Sequence, residues 1–523
     1  MAHAERGLWK SKLGFILACA GSAIGLGNIV FFPANAYKFG AGAFYIPYLV
    51  ALVFVGLPLM ILEFGLGHHT RRAFPQSLHH AAGRPGEFVG WWAILNASFI
   101  TMYYITILGW VLGMLIASFG PLFDSPSTAL AAFPAIGEMA NPAGYFFGML
   151  TSWWPVIFVV VVWALNVLAV SKGTSTIEPF LRFSVPMMWI MMLALIVRGV
   201  TLDGGAEGVL LLFTPKPEIL ADASVWKGAF SQMFFTLSLG FGIMTAYASY
   251  LPKKSDHVAN SMMVSCMNCA FEYVAGLAVF SLLFVFVIQP KASTLSMMFF
   301  IVPQGIAQFP AGVKLFGVLF FALLLIAGLT SSISLVEALV SAMIDKFQVP
   351  RKKILAVFAA VGLLGSIAFA WPKVVDPTLD SNGTLGLSLL DLMDHWTFSY
   401  GLMAVGLAEC LIVGWFFPAR RLREEINKIA RFKLSPIWDW VIKLVMPIML
   451  TLILGYAIAG EFTAGPYGHD MNTGSIRKLH LLSLAVWLSM TFGGALLFTL
   501  LPTRADTAKE ERQEGAAHAH RFD

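Results

Sequence analysis

Charge is what this 523-residue chain has least of: Asp, Glu, Lys and Arg make up 12% of it, about half the ~25% of an ordinary soluble domain. Apolar residues make up 58%, and the mean hydropathy is +0.77. A water-surrounded core has no room for that much apolar surface, so the bilayer is the solvent this composition fits. The net charge of +5 is small for the length, and no extended basic patch lies outside short loops, which argues against nucleic acid as a partner. Cysteine is scarce. Cys19, Cys266, Cys269 and Cys410 all lie in apolar segments, so no disulfide framework is expected. Cys266 and Cys269 form a CxxC without a second pair or nearby histidines, and read as small helix-packing residues rather than a metal site. The opening MAHAERGLWKSKLG is short and polar and is not followed by a small-residue cleavage site, so the first apolar stretch is expected to stay in the membrane. A nucleophile–base or metal constellation is missing too, and the chain does not read as an enzyme.

What is present is a series of apolar stretches, each long enough to cross the ~30 Å of hydrocarbon that about 20 residues span. Twelve are read, near 12–37, 42–68, 88–117, 150–171, 180–199, 226–250, 258–289, 314–344, 353–371, 393–417, 436–460 and 478–502. Helices are expected, because each must satisfy its own backbone polar groups. Alternate loops carry Arg71, Arg72 and Arg84, then Lys172 and Arg182, then Lys253 and Lys254, then Lys346, Arg351, Lys352 and Lys353, then Arg420, Arg421 and Arg423. The opposite side carries Asp124, Glu138, Asp203, Glu207, Asp376 and Asp380. The positive-inside rule makes the first side cytoplasmic, with both termini. The tail 503–523 is charged and rich in Ala, Glu and His; a solvated, poorly ordered end is expected, rather than metal binding through His518 and His520.

Two stretches are poor helices in their middles. The first contains Gly21-Ser-Ala-Ile-Gly25-Leu-Gly27-Asn28, and the sixth contains Thr236-Leu-Ser238-Leu-Gly240-Phe-Gly242. Glycine weakens a helix, although Gly21 and Gly25 also fit a packing face. Their positions decide: they open two successive groups of five spans, 12–200 and 226–417, and five being odd, the second group is inverted. Spans 436–502 follow, and residues 1–11 precede as a cytoplasmic end. Interrupted helices at matching places of inverted repeats mark a transporter's binding site, where half-helix N-termini meet anions and freed carbonyls meet cations.

Trp9-Lys-Ser-Lys-Leu-Gly through Asn28 and the following FFP, GAGAFYIPY at 40–48, SQMFFTLSLGFG at 231–242, TAYASY at 245–250 and AGLTSSIS at 327–334 resemble the neurotransmitter:sodium symporters, most closely the bacterial amino-acid branch that includes LeuT. Order and spacing match from about residue 6 to 500. The resemblance implies an all-α membrane fold of twelve helices in a 5+5 inverted repeat, broken at helices 1 and 6, with alternating access. It also implies two sodium ions, held by hard oxygens. One resembles a site made by the carbonyls of Ala23 and Thr236, the side chains of Asn28, Thr236 and Asn268, and the substrate carboxylate. The other resembles a site made by the carbonyls of Gly21, Ile24 and Ala327 with the hydroxyls of Thr330 and Ser331. The substrate is expected among Ser22, Ala23, Gly25, Gly27, Ile100, Tyr104, Phe235, Thr236, Ser238, Phe241, Ser332 and Leu335, with Tyr104 and the amides of Gly25-Leu26-Gly27 on its carboxylate. Biogenic-amine transporters of the family carry aspartate at the Gly25 position, so its absence argues against a cationic amine lacking a carboxylate; Ile100, Phe235, Ser238, Phe241, Ser332 and Leu335 together suggest a small or medium, largely apolar side chain.

Glu272 lies one turn after Asn268 on the same helix face. Chloride-dependent members have serine there; with Tyr48, Gln232 and Thr236, Glu272 resembles the fixed charge of chloride-independent members, and its protonation on the return step implies outward proton transfer. Arg6, Tyr250 and Asp345 match the cytoplasmic gate. Asp394 matches the acidic half of the outer gate, but Phe31 stands where the family has arginine. That leaves closure by packing of Phe31 with Tyr104 and Phe241, and Asp394 facing His395, Lys38, water or a substrate amine. Two rivals follow: a symporter for a betaine, a β- or γ-amino acid or a taurine-like osmolyte, and a sensor that binds without transport. Expected surroundings are the bacterial inner membrane, as monomer or homodimer.

Overall fold

Apolar helices run through the expected stretches of the computed structural model, which describes residues 7–124, 141–286, 294–374, 384–463, 465, 467 and 474–503. Arg6, Glu138, Asp376, Asp380 and the tail with His518 and His520 lie outside the described residues. The first stretch is α1 (Lys12–Ala23) and α2 (Gly27–Lys38), with a 56° bend between them. Then come α3 (Ala41–Thr70), α4 (Phe74–Ser118), α5 (Pro142–Leu150), α6 (Trp154–Val170) and α7 (Thr174–Val200). The sixth stretch is α8 (Ala223–Thr236) and α9 (Ile243–Ser249). After it run α10 (His257–Val285), α11 (Val313–Phe347), α12 (Arg351–Phe369), α13 (Leu385–Phe416), α14 (Ile437–Thr463) and α15 (Leu481–Leu500).

Two boundaries differ from the sequence reading. The third stretch begins at Phe74 rather than 88, because an amphipathic piece joins it across non-helical Ala82 and Gly83, just before Pro85. The tenth begins at Leu385 rather than 393; the fourth runs as the single helix α6 within the expected 150–171, with α5 ahead of it at 85°.

Both expected breaks are real, with different local causes. α1 stops at Ile24, whose ψ of 98° is extended. The second gap passes through Ser238, Gly240 and Gly242 at φ of 54°, 77° and 75°, a left-handed region that glycine enters without Cβ strain. α1 is enclosed by α7, α10 and α11, and α4 runs along α11 over the molecule's most extensive helix contact. Apolar side chains such as Leu364, Leu452, Phe462 and Leu496 point outward, as lipid-facing residues must where there is no water to exclude.

Candidate functional site

In an unbroken helix the peptide N–H groups of Gly25 and Leu26 would bond the carbonyls of Gly21 and Ser22. Here Gly25 N–H donates to Asn28 Oδ1 at 2.8 Å, and Leu26 N–H points at the Tyr104 hydroxyl at 3.4 Å. The two carbonyls are thereby released. That of Ser22 accepts the hydroxyls of Ser331 at 2.9 Å and Ser238 at 3.2 Å. The expectation that the Gly25 and Leu26 amides stay open to a carboxylate is corrected: both are taken, and the Gly27 N–H and the Tyr104 hydroxyl are the donors left at this break.

The released groups line a cavity between the two breaks, with about 60 Å³ of free space. α1, the break after it and the start of α2 contribute Ser22, Ala23, Gly25, Leu26, Gly27 and Asn28. Ile100 and Tyr104 come from α4; Phe235 and Thr236 from the end of α8, Ser238 and Phe241 from the second break and Ile243 from the start of α9; Ser331 and Leu335 from α11. Gly25 is a matter of close approach: a Cβ there would stand 2.9 Å from Ser331 Oγ and 3.1 Å from the Tyr104 oxygen. Ser332 is placed elsewhere. Fully buried, it donates to Asn166 Oδ1 of α6 at 2.8 Å, so it braces α11 against α6 instead of facing the cavity. Ile243 joins the wall although the sequence reading passed over it.

Beside the cavity lies a continuous polar cluster. Asn28 Nδ2 donates to Asn268 Oδ1 at 2.8 Å and to Thr236 Oγ1 at 3.1 Å, and Asn268 Nδ2 donates to Thr236 Oγ1 at 3.0 Å. The Thr236 hydroxyl in turn donates to Glu272 Oε1 at 2.7 Å, where Gln232 Nε2 also donates at 3.0 Å. Tyr48 donates to the other oxygen of Glu272, and Asn35 anchors Gln232 from α2 at 3.1 Å. Glu272 is fully buried, and a bare carboxylate there would be very costly; three donors fit it to hold charge. Among the described residues no three His, Cys, Asp or Glu gather as a metal site. The neutral oxygens of Asn28, Thr236 and Asn268 are instead the hard donors that a monovalent cation takes. A second oxygen set lies where α1 meets α11: Thr330 Oγ1 bonds the Ala327 carbonyl at 2.7 Å, and Ser331 lies 3.4 Å from the same carbonyl. Gly21 packs against Thr330.

The end of the bundle nearest the start of the chain is closed by a residue outside the expected gate. Trp9, 4% exposed, donates from its indole to the Tyr247 carbonyl at 2.8 Å and from its backbone to the Tyr250 carbonyl at 3.2 Å. Its ring stands edge-on to Tyr247. Tyr250 donates to Glu337 at 2.8 Å, and Arg351 grips both oxygens of Glu337 at 2.5 and 2.8 Å. Asp345 accepts the Ala73 N–H at 2.6 Å. Glu337 and Trp9 were visible as an intramembrane acid and an aromatic flanking an apolar helix, but neither pattern names its partner.

At the opposite end Asp394 accepts from the Tyr103 hydroxyl at 2.8 Å, not from His395 or Lys38. His395 is engaged with Glu461 at 2.7 Å and stacks on Tyr467 with centroids 4.0 Å apart; Lys38 sits over the Phe39 ring. Phe31 has no ring partner among the described residues. The aromatic contact over the cavity is Phe235 against Phe398, centroids 4.5 Å apart and nearly perpendicular. The adjacent Tyr103 and Tyr104 therefore divide the work, one facing Asp394 and the other facing the first break.

Known proteins match this chain along most of its length. Residues 6–124 and 145–475 match the profile of the Sodium:neurotransmitter symporter family. An uncharacterised sodium-dependent transporter of Methanocaldococcus jannaschii is 36% identical over 503 residues, covering 94% of this chain and 98% of that protein. A sodium- and chloride-dependent glycine transporter 2 of Xenopus laevis is 26% identical, covering 93% of this chain and 69% of its own length. The crystal structure of MhsT in complex with L-phenylalanine superposes with a TM-score of 0.73 at 27% identity, covering 86% of this chain and all of that one.

Proposed function

The chain belongs to the sodium:neurotransmitter symporter family, and from that premise we propose that it imports a small, largely apolar amino acid with two sodium ions, independently of chloride. It is an integral membrane, sodium-dependent transporter of the LeuT fold and not an enzyme. The observation that carries the finer reading is the buried Glu272 carboxylate, held by Tyr48, Gln232 and Thr236. Thr236 ties it directly to the Asn28–Asn268 cluster, so a carboxylate stands beside the first cation position. A relative whose name includes chloride dependence would draw that charge from a bound anion; here a side chain supplies it.

The solute carboxylate would lie at the first break, taking the Tyr104 hydroxyl and the Gly27 N–H, with the first sodium ion between it and the side chains of Asn28, Thr236 and Asn268. A buried carboxylate and a buried sodium ion are each very costly alone, and their attraction offsets that cost only when both are present. Coupling follows without a mechanical link. The second sodium ion, with Thr330, Ser331 and the released Gly21 carbonyl, would tie α1 to α11 and hold the cytoplasmic side shut until it leaves. Glu272 taking up a proton on the return step would keep the buried charge balanced once sodium has gone. L-phenylalanine in the MhsT neighbour and the apolar wall of Ile100, Phe241, Ile243 and Leu335 support an apolar side chain. Loop charges support both termini on the cytoplasmic side of a bacterial inner membrane.

Uptake of labelled amino acids into proteoliposomes under an imposed sodium gradient tests the reading. Accumulation is expected with sodium gluconate as with sodium chloride. Uptake that needs chloride, or that ignores the sodium gradient, overturns it.

A further inference from the structure

Away from the transport cavity, a groove of about 270 Å³ runs over the outer side of α4, between α11, α12 and α15. Its walls are apolar except for Ser98 and, at one end, Lys353. Val357 and Val361, one turn apart on α12 and 57% and 47% exposed, form its open edge, so it opens sideways to hydrocarbon. Lys353 lies in the first turn of α12, on the side that loop charges make cytoplasmic. Neighbouring cations are engaged: Arg351 by Glu337, and Lys346 by Glu87 at 2.6 Å. The Lys353 ammonium has no acceptor among the described residues and is the basic group at this groove left to meet an outside anion.

We propose that the groove binds one anionic phospholipid of the cytoplasmic leaflet, with an acyl chain along Val357 and Val361 and its phosphate at Lys353. An apolar groove alone does not select a lipid, since tails are as apolar as the leucines they would replace; the cation at its mouth does. The eight residues from Lys353 to Val361 rise about 12 Å, which places a headgroup at the interface and a tail within one leaflet of a ~30 Å core. Leu339 and Met343 of α11 and Phe99 and Met102 of α4 also line the groove. These side chains alternate with Ile100 and Tyr103 on α4 and follow Ser331 on α11, so the lipid packs behind the helices that carry the cavity.

The test uses the full-length protein in detergent and counts lipids retained by native mass spectrometry, comparing phosphatidylglycerol with phosphatidylcholine of the same chains. Wild type is expected to retain phosphatidylglycerol about five-fold better, the factor one lysine beside an anionic lipid supplies. Lys353→Gln should remove that preference, and Val357→Trp should lower retention of both lipids. Neither residue belongs to the proposed transport site, and an intact sodium-dependent thermal shift shows that each variant is folded; Val361→Trp replaces Val357→Trp if the latter lacks that shift. Equal retention of the two lipids by wild type, or an undiminished preference in Lys353→Gln, overturns the proposal. So does loss of a dimer mass in the tryptophan variant with lipid counts unchanged, which would make a second copy of the chain the occupant.

Discussion

The carboxylate of Glu63 accepts the peptide N–H of Gly240 at 2.8 Å. A side chain of α3 thus stands in for the carbonyl that the second broken helix no longer offers. Both groups are buried, and the Glu63 carbonyl takes the Thr245 hydroxyl at 3.3 Å on the far side of the gap, so α3 splints the break from one end to the other. Glu63→Ala leaves the Gly240 N–H buried without an acceptor, at a cost of about 1–3 kcal/mol. Thermal unfolding of Glu63→Ala is expected several degrees below wild type. Glu63→Gln, which keeps an acceptor oxygen, should unfold close to wild type.

Glu272 gives the sharpest test of anion dependence. Glu272→Ser removes the fixed charge and leaves Tyr48, Gln232 and Thr236 as three donors around a vacant position, a set that suits a halide. Uptake by this variant is expected to be near zero in gluconate and to recover with added chloride, while wild type does not respond. A variant equally active in both salts would remove the basis for reading Glu272 as a substitute for chloride.

Gly25→Ala places a methyl 3.1 Å from the Tyr104 oxygen and 2.9 Å from Ser331 Oγ. Overpacking of this kind costs about 1–3 kcal/mol. Because both neighbours belong to the proposed substrate and sodium positions, substrate affinity is expected to fall by roughly tenfold or more. A binding isotherm by scintillation proximity that matches wild type would show that the first break is not where the carboxylate rests.

Arg351 and Glu337 form a buried bidentate ion pair, with 6% and 0% of their side chains exposed. Removing one partner of such a pair strands the other charge and costs about 3–5 kcal/mol. Arg351→Ala is therefore expected to lower the unfolding temperature markedly. Lys352→Ala, one residue along and exposed, should change stability by about 0.5 kcal/mol or less.

Tyr103→Phe keeps the ring that meets Phe369 edge-on but takes the donor away from Asp394. A hydrogen bond to a charged group is worth about 1.5–3 kcal/mol, and this one joins α4 to α13 at the end of the bundle opposite Trp9. Faster labelling of a cysteine placed at Phe398 (F398C) is expected in the Tyr103→Phe background, because the closed outer state loses that contact. Unchanged labelling would show that the Tyr103–Asp394 hydrogen bond does not hold this mouth closed.

The sequence by itself determined the spans and the two breaks. Hydropathy over about 20 residues answers to a single solvent, and glycine at 240 and 242 acts on its own backbone, at a positive φ; neither effect needs a partner from elsewhere in the chain. The motifs also brought Asn28, Thr236, Asn268 and Glu272 to attention as a group, and the structure brings them into one hydrogen-bonded cluster. What only the tertiary structure decided were choices of partner. Tyr103 rather than His395 faces Asp394, Glu63 serves the second break, Ser332 turns to Asn166, Trp9 bonds the Tyr247 and Tyr250 carbonyls, and the Gly25 and Leu26 amides are taken before any solute arrives. Each of these depends on which face of a helix meets a residue distant in sequence. Apolar spans leave that open, because in lipid nearly every face is hydrophobic and periodicity no longer separates inside from outside.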